Sequence, residues 1–233
     1  MSPRAPVYCR AQAYWSFDQQ LADIDSSAGL FRAAFAMATH ERPEAELAAT
    51  ESIVEKLVAT IRRRVQSRST QARLAHLHDV LFDVFGLRGN TDDYYNPANS
   101  YLPDVLRTRL GIPISLVLVY KRVAEPLGLT VHGVNAPGHF LAEVESTDQP
   151  HGGSMYVDPF FGGGILDKHE VIDRIAQATG RPVTPTPALL SRATPRQWLA
   201  RMLNNLQASF AAAGRERDVC AMQELQTLLT NRD

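Results

Sequence analysis

The sequence holds two cysteines in 233 residues, Cys9 and Cys220, near opposite ends of the chain. They form neither a C-x-x-C pair nor any zinc-ligand spacing, which argues against a disulfide framework or a cysteine metal centre and fits a reducing compartment. A long apolar run is also missing. The longest is about the size of a buried helix face, well short of the roughly 20 residues a membrane span needs, and the first segment, MSPRAPVYCRAQAYW, contains no long apolar stretch. Charge of one sign is not in excess either. Lys+Arg at 24 and Asp+Glu at 25 leave a net charge of -1, so no global field draws the protein onto nucleic acid or anionic lipid. The one basic run, IRRRVQSR at 61–68, continues an apolar helical stripe through Ile61 and Val65 and turns its arginines to the opposite side as a solvated face. The expectation is a cytoplasmic protein with no membrane partner and no nucleic-acid partner.

Ligand-binding signatures are scarce as well. Gly162, Gly163 and Gly164 do not form G-x-G-x-x-G, lack a P-loop lysine, and read as a tight turn. Asn90, Asp92, Asp93 and Asn96 lack the glycine and distal glutamate of an EF-hand and read as loop-structuring side chains. His76 and His78, two apart on a helix, do not share a face. No cofactor and no metal site are expected.

What is present is pattern. Apolar residues at three- and four-residue spacing predict helices over 29–43, 44–66 and 70–85, the last closed by Gly86 in a left-handed cap. A structured loop and a short helix lead to Pro113, which suits a first helical turn. The helix it opens, 113–127, is apolar on nearly every side and should be central and buried. The period then changes to alternation in LTVHGVN, HFLAEVE and SMYVDPF, three short strands of an antiparallel sheet against that helix. Asp167 through Glu170 has capping-box spacing and starts another helix. A proline-rich connector follows, and Thr194 with Pro195 opens a final helical hairpin broken at Gly214. The fold class is α+β. Residues 1–28 are expected to be a partly ordered lead-in, 29–86 a helical region packed on the core, 87–180 the core, and 181–233 a connector and C-terminal hairpin, all in one compact unit.

His139 and Asp158 are the residues that suggest chemistry. If the strands at 139–145 and 152–158 pair about a symmetric loop, partner numbers sum to 297 and the two side chains stand directly opposed on one face. There the carboxylate would fix the imidazole tautomer. The plain alternative is a histidine held in a polar corner.

The segments GNTDDYYNPANSYLPDVLRTRLGIPISL, GLTVHGVNAPGHFLAEV, YVDPFFGGG and TPRQWLARMLNNL, in that order, resemble the transglutaminase-like, papain-type superfamily. More closely they resemble its SirB family, whose members also occur in a eukaryotic F-box protein. The resemblance implies a transglutaminase-like core with a Cys-His-Asp site at a helix start, where the helix N-terminus favours a thiolate. His139 and Asp158 match the last two members. The cysteine has no match: its place falls on Ile112 or Pro113, and with a slight shift Ser115 becomes the one available nucleophile. Two readings stay open. One is a degenerate site that binds a peptide-like or protein partner in the old groove, with Tyr94, Tyr95, Asn99 and Pro113 as binding residues. The other is a hydrolase or acyl transferase using Ser115, His139 and Asp158. Neither substrate nor oligomeric state is written in the sequence.

Overall fold

The computed structural model describes residues 5–231 apart from 68, 147 and 149–152. Four helices come first: α1 (Ala11–Gln20), α2 (Ser27–Ala38), α3 (Leu47–Arg64) and α4 (Thr70–His78). Ser26 and Ser69 cap α2 and α4 by accepting the N–H of Gly29 and of Ala72. The lead-in is more ordered than its sequence suggests. The helix α1 buries Ala13, Tyr14 and Phe17 against α2 and against the C-terminal helix, and Glu224 of that helix accepts the N–H groups of Val7, Tyr8 and Cys9 at 2.7–3.2 Å. Its aromatic contacts are tertiary, and AQAYWSFDQQ carries no sustained apolar period to announce them.

After α4 the backbone widens into a π-helical stretch, Asp79–Val84, that sequence periodicity reads as ordinary helix. The wider turn seats Phe82 in a stack on Tyr120, 6.2 Å between ring centroids, and beneath Gly163, where any Cβ would collide with the Phe82 ring. Two-residue strands β1 (Arg88–Gly89) and β2 (Leu110–Gly111) pair in parallel, too short to leave a pattern. Between them lie the structured loop and α5 (Leu102–Thr108).

The helix α6 (Pro113–Ala124) follows, with a 3-10 turn to Leu127 and a left-handed Gly128 at its end. It is buried at every position from Pro113 to Tyr120, and packs on α2, α3 and the sheet. That sheet has the antiparallel order β3 (Val131–Val134), β4 (Leu141–Ser146), β5 (Gly153–Asp158) and β6 (Gly164–Leu166). The sequence pattern does not reveal the last strand, three residues long and paired only to β5. Helix α7 (Lys168–Thr179) starts at the expected box, in which Asp167 accepts two backbone N–H groups and Glu170 accepts the N–H of Asp167. The connector is tied to the sheet by Arg192, whose guanidinium donates to both oxygens of the buried Glu143 at 2.8 and 2.9 Å. The helices α8 (Pro195–Ala212) and α9 (Glu216–Thr230) close the molecule, with Thr194 capping the first.

Trp198 of α8 packs against β3 and donates its indole N–H to the Ile114 carbonyl of α6 at 3.4 Å. Gly133 in β3 is the reason it fits, because a Cβ there would meet the rings of both Trp198 and Phe140 at less than 3 Å. Those two rings pack at 4.8 Å. This contact brings α8 against the end of β3, and so against the turn that carries His139. Among the described residues no helix is long and apolar enough to cross a membrane.

Candidate functional site

His139 does not lie on a strand. It ends a tight turn, Ala136-Pro137-Gly138-His139, in which its N–H donates to the Ala136 carbonyl at 3.3 Å and Gly138 takes a φ of 68°. Proline second and a left-handed glycine third is the pattern of a type II turn, and β4 begins only at Leu141. The register is also shifted from the symmetric expectation. Ala142 pairs with Val157 and Glu143 with Tyr156, so partner numbers sum to 299, not 297. The shift is even, and side chains alternate with period two, so His139 and Asp158 stay on one face, now as diagonal neighbours. His139 Nε2 and Asp158 Oδ2 are 2.9 Å apart.

Both groups are sheltered. Asp158 is 0 % exposed and His139 5 % exposed. A buried carboxylate is tolerated when its lone pairs are used. Asp158 Oδ1 accepts the N–H of Phe160 at 3.1 Å, and Arg174 Nε on α7 lies 3.5 Å from Oδ2. A carboxylate only accepts, so Nε2 of His139 carries the hydrogen between them and Nδ1 is the ring nitrogen left for another partner. Nδ1 has no hydrogen-bond partner among the described residues, and the ring lines an open cavity of about 520 Å³.

The walls of that cavity are aromatic. Phe160 stands edge-on to His139 at 6.2 Å and to Tyr94 at 6.0 Å, and Tyr95 stands edge-on to Tyr94 at 5.3 Å. Phe161, 51 % exposed, carries the Arg174 guanidinium over its face at 4.1 Å. Tyr94 and Tyr95 are therefore at the rim, where the sequence places them. Asn99 is not. It is buried beneath the loop, where Nδ2 donates to the Asp93 and Tyr94 carbonyls at 2.7 and 3.1 Å and Oδ1 accepts from Asn90 at 2.9 Å. Asn99 holds the tyrosines in place from below. Asn96 likewise donates to Asp93 Oδ2 and accepts the Ala98 N–H, while Asn90 Oδ1 accepts the N–H of Asp93.

Ser115 is separated from the histidine by its own bonding. Its Oγ is fully buried, donates to the Asn99 carbonyl at 2.6 Å and accepts the Ile112 N–H at 3.2 Å. That is the work of a polar residue in the first turn of a helix, where backbone N–H groups lack partners. The separation of roles has a simple cause: Ser115 stands two positions after Pro113, about 200° around a helix of 3.6 residues per turn. Pro113 is the residue of this turn that lines the cavity beside His139, and Ser115 does not line it. The geometry gives no hydrogen bond between Ser115 and His139 among the described residues, so the serine-triad assignment has no support from the hydroxyl's position.

The two thiols lie elsewhere. Cys9 is buried, its thiol pushed up to about 12 by burial and by the nearby Glu224 carboxylate, and Cys220 is half-buried on α9. A thiol held that high is not a nucleophile at neutral pH. His78 donates to or accepts from the Tyr120 hydroxyl at 2.8 Å and is part of the core. Residues that sequence reasoning misses are Arg174 and Phe161, and on the far side of His139 a second hollow with Arg201 and Asn205. Phe161 is visible in the string DPFFGGG, but which way Arg174 turns depends on how α7 docks, and no local pattern records that.

Comparison with known proteins agrees with this architecture. Residues 48–204 match the family described as the transglutaminase-like superfamily. A UPF0162 protein of Xylella fastidiosa is 35% identical over 195 residues, covering 82% of this chain and 68% of that protein. A UPF0162 protein of Pseudomonas aeruginosa is 28% identical over 202 residues, 86% of this chain and 71% of its own length. F-box only protein 21 of Mus musculus is 37% identical over 131 residues, which are 54% of this chain but 20% of that protein. No solved structure matches. A central helix against a small antiparallel sheet, with a histidine and an aspartate joined at the ends of its two inner strands, is thus the core of a protein that belongs to the transglutaminase-like superfamily, in the family of the UPF0162 proteins.

Proposed function

We propose that this protein is a SirB-type member of the superfamily whose site is a docking groove. It receives a peptide-like segment of a protein partner across the start of α6, holds it with His139 and the aromatic rim, and forms no covalent bond to it. The observation that carries the reading is the start of α6: the place where the resemblance calls for a sulfur falls on Ile112 or Pro113, neither a nucleophile, and Pro113 is the one of the two that lines the cavity, while the neighbouring hydroxyl of Ser115 is committed to backbone groups. What remains is suited to holding. An open bowl with exposed Phe161 and Tyr95 offers apolar area, and the free Nδ1 of His139 offers one buried polar contact. That a matching stretch makes up 20% of F-box only protein 21 supports a module reused within a longer protein. The setting proposed is the cytoplasm, in keeping with two free cysteines.

The test uses N-acetylated, C-amidated dipeptides containing phenylalanine, titrated against the protein with the His139 ring signals observed by NMR. Binding is expected to shift those signals, and His139→Ala is expected to weaken it by roughly 1–3 kcal/mol through the loss of one or two polar contacts. A fluorophosphonate probe supplies the opposing outcome. Labelling at Ser115 that vanishes in His139→Ala would replace the groove with a serine hydrolase; no labelling is expected.

A further inference from the structure

The segment TPRQWLARMLNNL, which carries part of the resemblance, has no chemical role in the docking groove as proposed. Its helix, α8, supplies Arg201 and Asn205 to a second hollow of about 180 Å³. That hollow shares Tyr94, Pro113, Gly138 and His139 with the aromatic bowl, so the two meet at His139. Arg201 differs from three other arginines that are held by acidic side chains. Arg174, Arg192 and Arg215 each have a carboxylate partner, whereas Arg201 has none among the described residues. Its Nη1 donates to the Asn135 side chain and, at 2.8 Å, to the Ala136 carbonyl. Its Nε and Nη2 donate to nothing described, and the Asn205 amide also has no partner among the described residues. Its guanidinium also lies over the Phe140 ring at 5.5 Å, but a half-buried cation that meets only neutral oxygens and a ring face has no anion to balance it, and burial depresses its pKa.

We infer that this hollow is a carboxylate slot: Arg201 and Asn205 bind an anionic carboxylate of the docked segment while the residue beside it lies over His139 and into the aromatic bowl. The inference rests on the groove reading and adds the chemistry of what the groove selects. The guanidinium offers two free N–H donors on its Nε and Nη2 edge, the geometry that suits a two-oxygen acceptor. The volume of about 180 Å³ admits a carboxylate together with the short side chain or terminal residue that carries it. Such a group has two sources, the C-terminus of a polypeptide or the side chain of Asp or Glu. The bond of Arg201 to Ala136 also steadies the turn that carries His139, and that structural duty uses only Nη1.

The experiment compares three probes on the intact 233-residue chain: N-acetyl-Phe-Gly with a free carboxylate, its C-terminal amide, and N-acetyl-Phe-Asp amide. Binding is read from His139 ring shifts and from the Arg201 Nε–H signal. The expected result is that one or both acids bind at least tenfold tighter than the amide, that the preference falls as salt is raised, and that Arg201→Gln removes the preference. Which acid wins identifies the source. Asn205→Leu, at a half-buried position with no described partner, guards against a folding defect and should reduce the acid preference severalfold with the melting temperature unchanged. Equal binding of acids and amide overturns the slot and leaves the groove standing. A His139 signal unmoved by any of the three overturns both.

Discussion

The two halves of the candidate site are built to different standards. On the sheet side, Asp158 is fully buried and holds His139, the Phe160 N–H and Arg174 at once, so every contact of the carboxylate is answered. On the helix side, the first turn of α6 presents a proline to the cavity and turns its hydroxyl inward to the backbone of Asn99 and Ile112. One half could serve a reaction; the other serves helix folding. The lesson is that a His–Asp pair is no proof of catalysis, because once a carboxylate is buried at the end of β5 it needs an imidazole or an equivalent donor for stability alone.

The largest effect should come from breaking the sheet side. Asp158→Ala leaves His139 Nε2, the Phe160 N–H and the Arg174 guanidinium without their acceptor, and removing one partner of a buried pair costs about 3–5 kcal/mol. Chemical denaturation should show a loss of this size, with Asp158→Asn losing less because the amide oxygen still accepts. A loss below about 1 kcal/mol for Asp158→Ala would mean that the pair is not a folding element, and its two residues would then have to be explained by ligand or substrate.

How much of this is legible in the sequence depends on the range of the interaction. Helix α6 announces itself because burial on all sides leaves an apolar string with proline at its start, and the capping boxes at Asp167 and Thr194 are local chemistry within four residues. The His139–Asp158 contact is legible for a reason that tolerates error. A symmetric loop misplaces the register by two positions, but an even slip preserves the face. The α1 helix, β6 and the inward turn of Ser115 are not legible. The first and last depend on partners outside the local segment, Glu224 for the segment entering α1 and the Asn99 carbonyl for Ser115, and such partners leave no period, while β6 is three residues long and too short to show one. Arg174 and Arg201 read as helix surface for the same reason.

A second sheltered histidine sharpens the comparison. His78 has a phenol, Tyr120, where His139 has a carboxylate, and burial lowers its imidazole to about 4 against a smaller opposing pull from Asp83. The unfolded ring binds its proton near 6.5, so between that pH and about 4 the unfolded protein holds more protons than the folded one. Stability from this site is complete above about 6.5, falls as the pH drops, and levels off below about 4. At about 1.4 kcal/mol per unit the loss is on the order of 3 kcal/mol. Urea midpoints measured across that window should show the slope in the native protein and a shallower one in His78→Leu. An unchanged slope in the variant would assign the acid sensitivity to other groups.

On the helix side the expected effect is smaller. Ser115→Ala leaves the Ile112 N–H and the Asn99 carbonyl underused, a penalty of about 1–2 kcal/mol. Dipeptide binding should be unaffected, because the hydroxyl does not line the cavity. If Ser115→Ala abolished binding while its stability fell only by that amount, the two halves would be coupled in a way the hydrogen bonds do not account for.

The smallest effect concerns sulfur, and it separates where a thiol is from where one would matter. Cys9 is pushed up to about 12 in the core against α9, and Cys220 sits on α9 itself; neither lines the bowl or the slot. Replacing both with alanine should leave dipeptide binding within about twofold, even where the loss of Cys9 lowers stability. Placing a thiol at the vacant position is the complementary change. Pro113→Cys puts the sulfur at the start of α6 beside the free Nδ1 of His139, where the helix dipole and the imidazole both favour the thiolate. In a Cys9→Ala, Cys220→Ala background that single thiol should react with iodoacetamide severalfold faster than a free cysteine at pH 7, and the advantage should fade in His139→Ala. The sheet side would then be a competent base that has nothing to deprotonate. Ordinary reactivity at position 113, with His139 making no difference, would mean instead that the pair is aimed away from the helix and that the groove was never one proton transfer short of an enzyme.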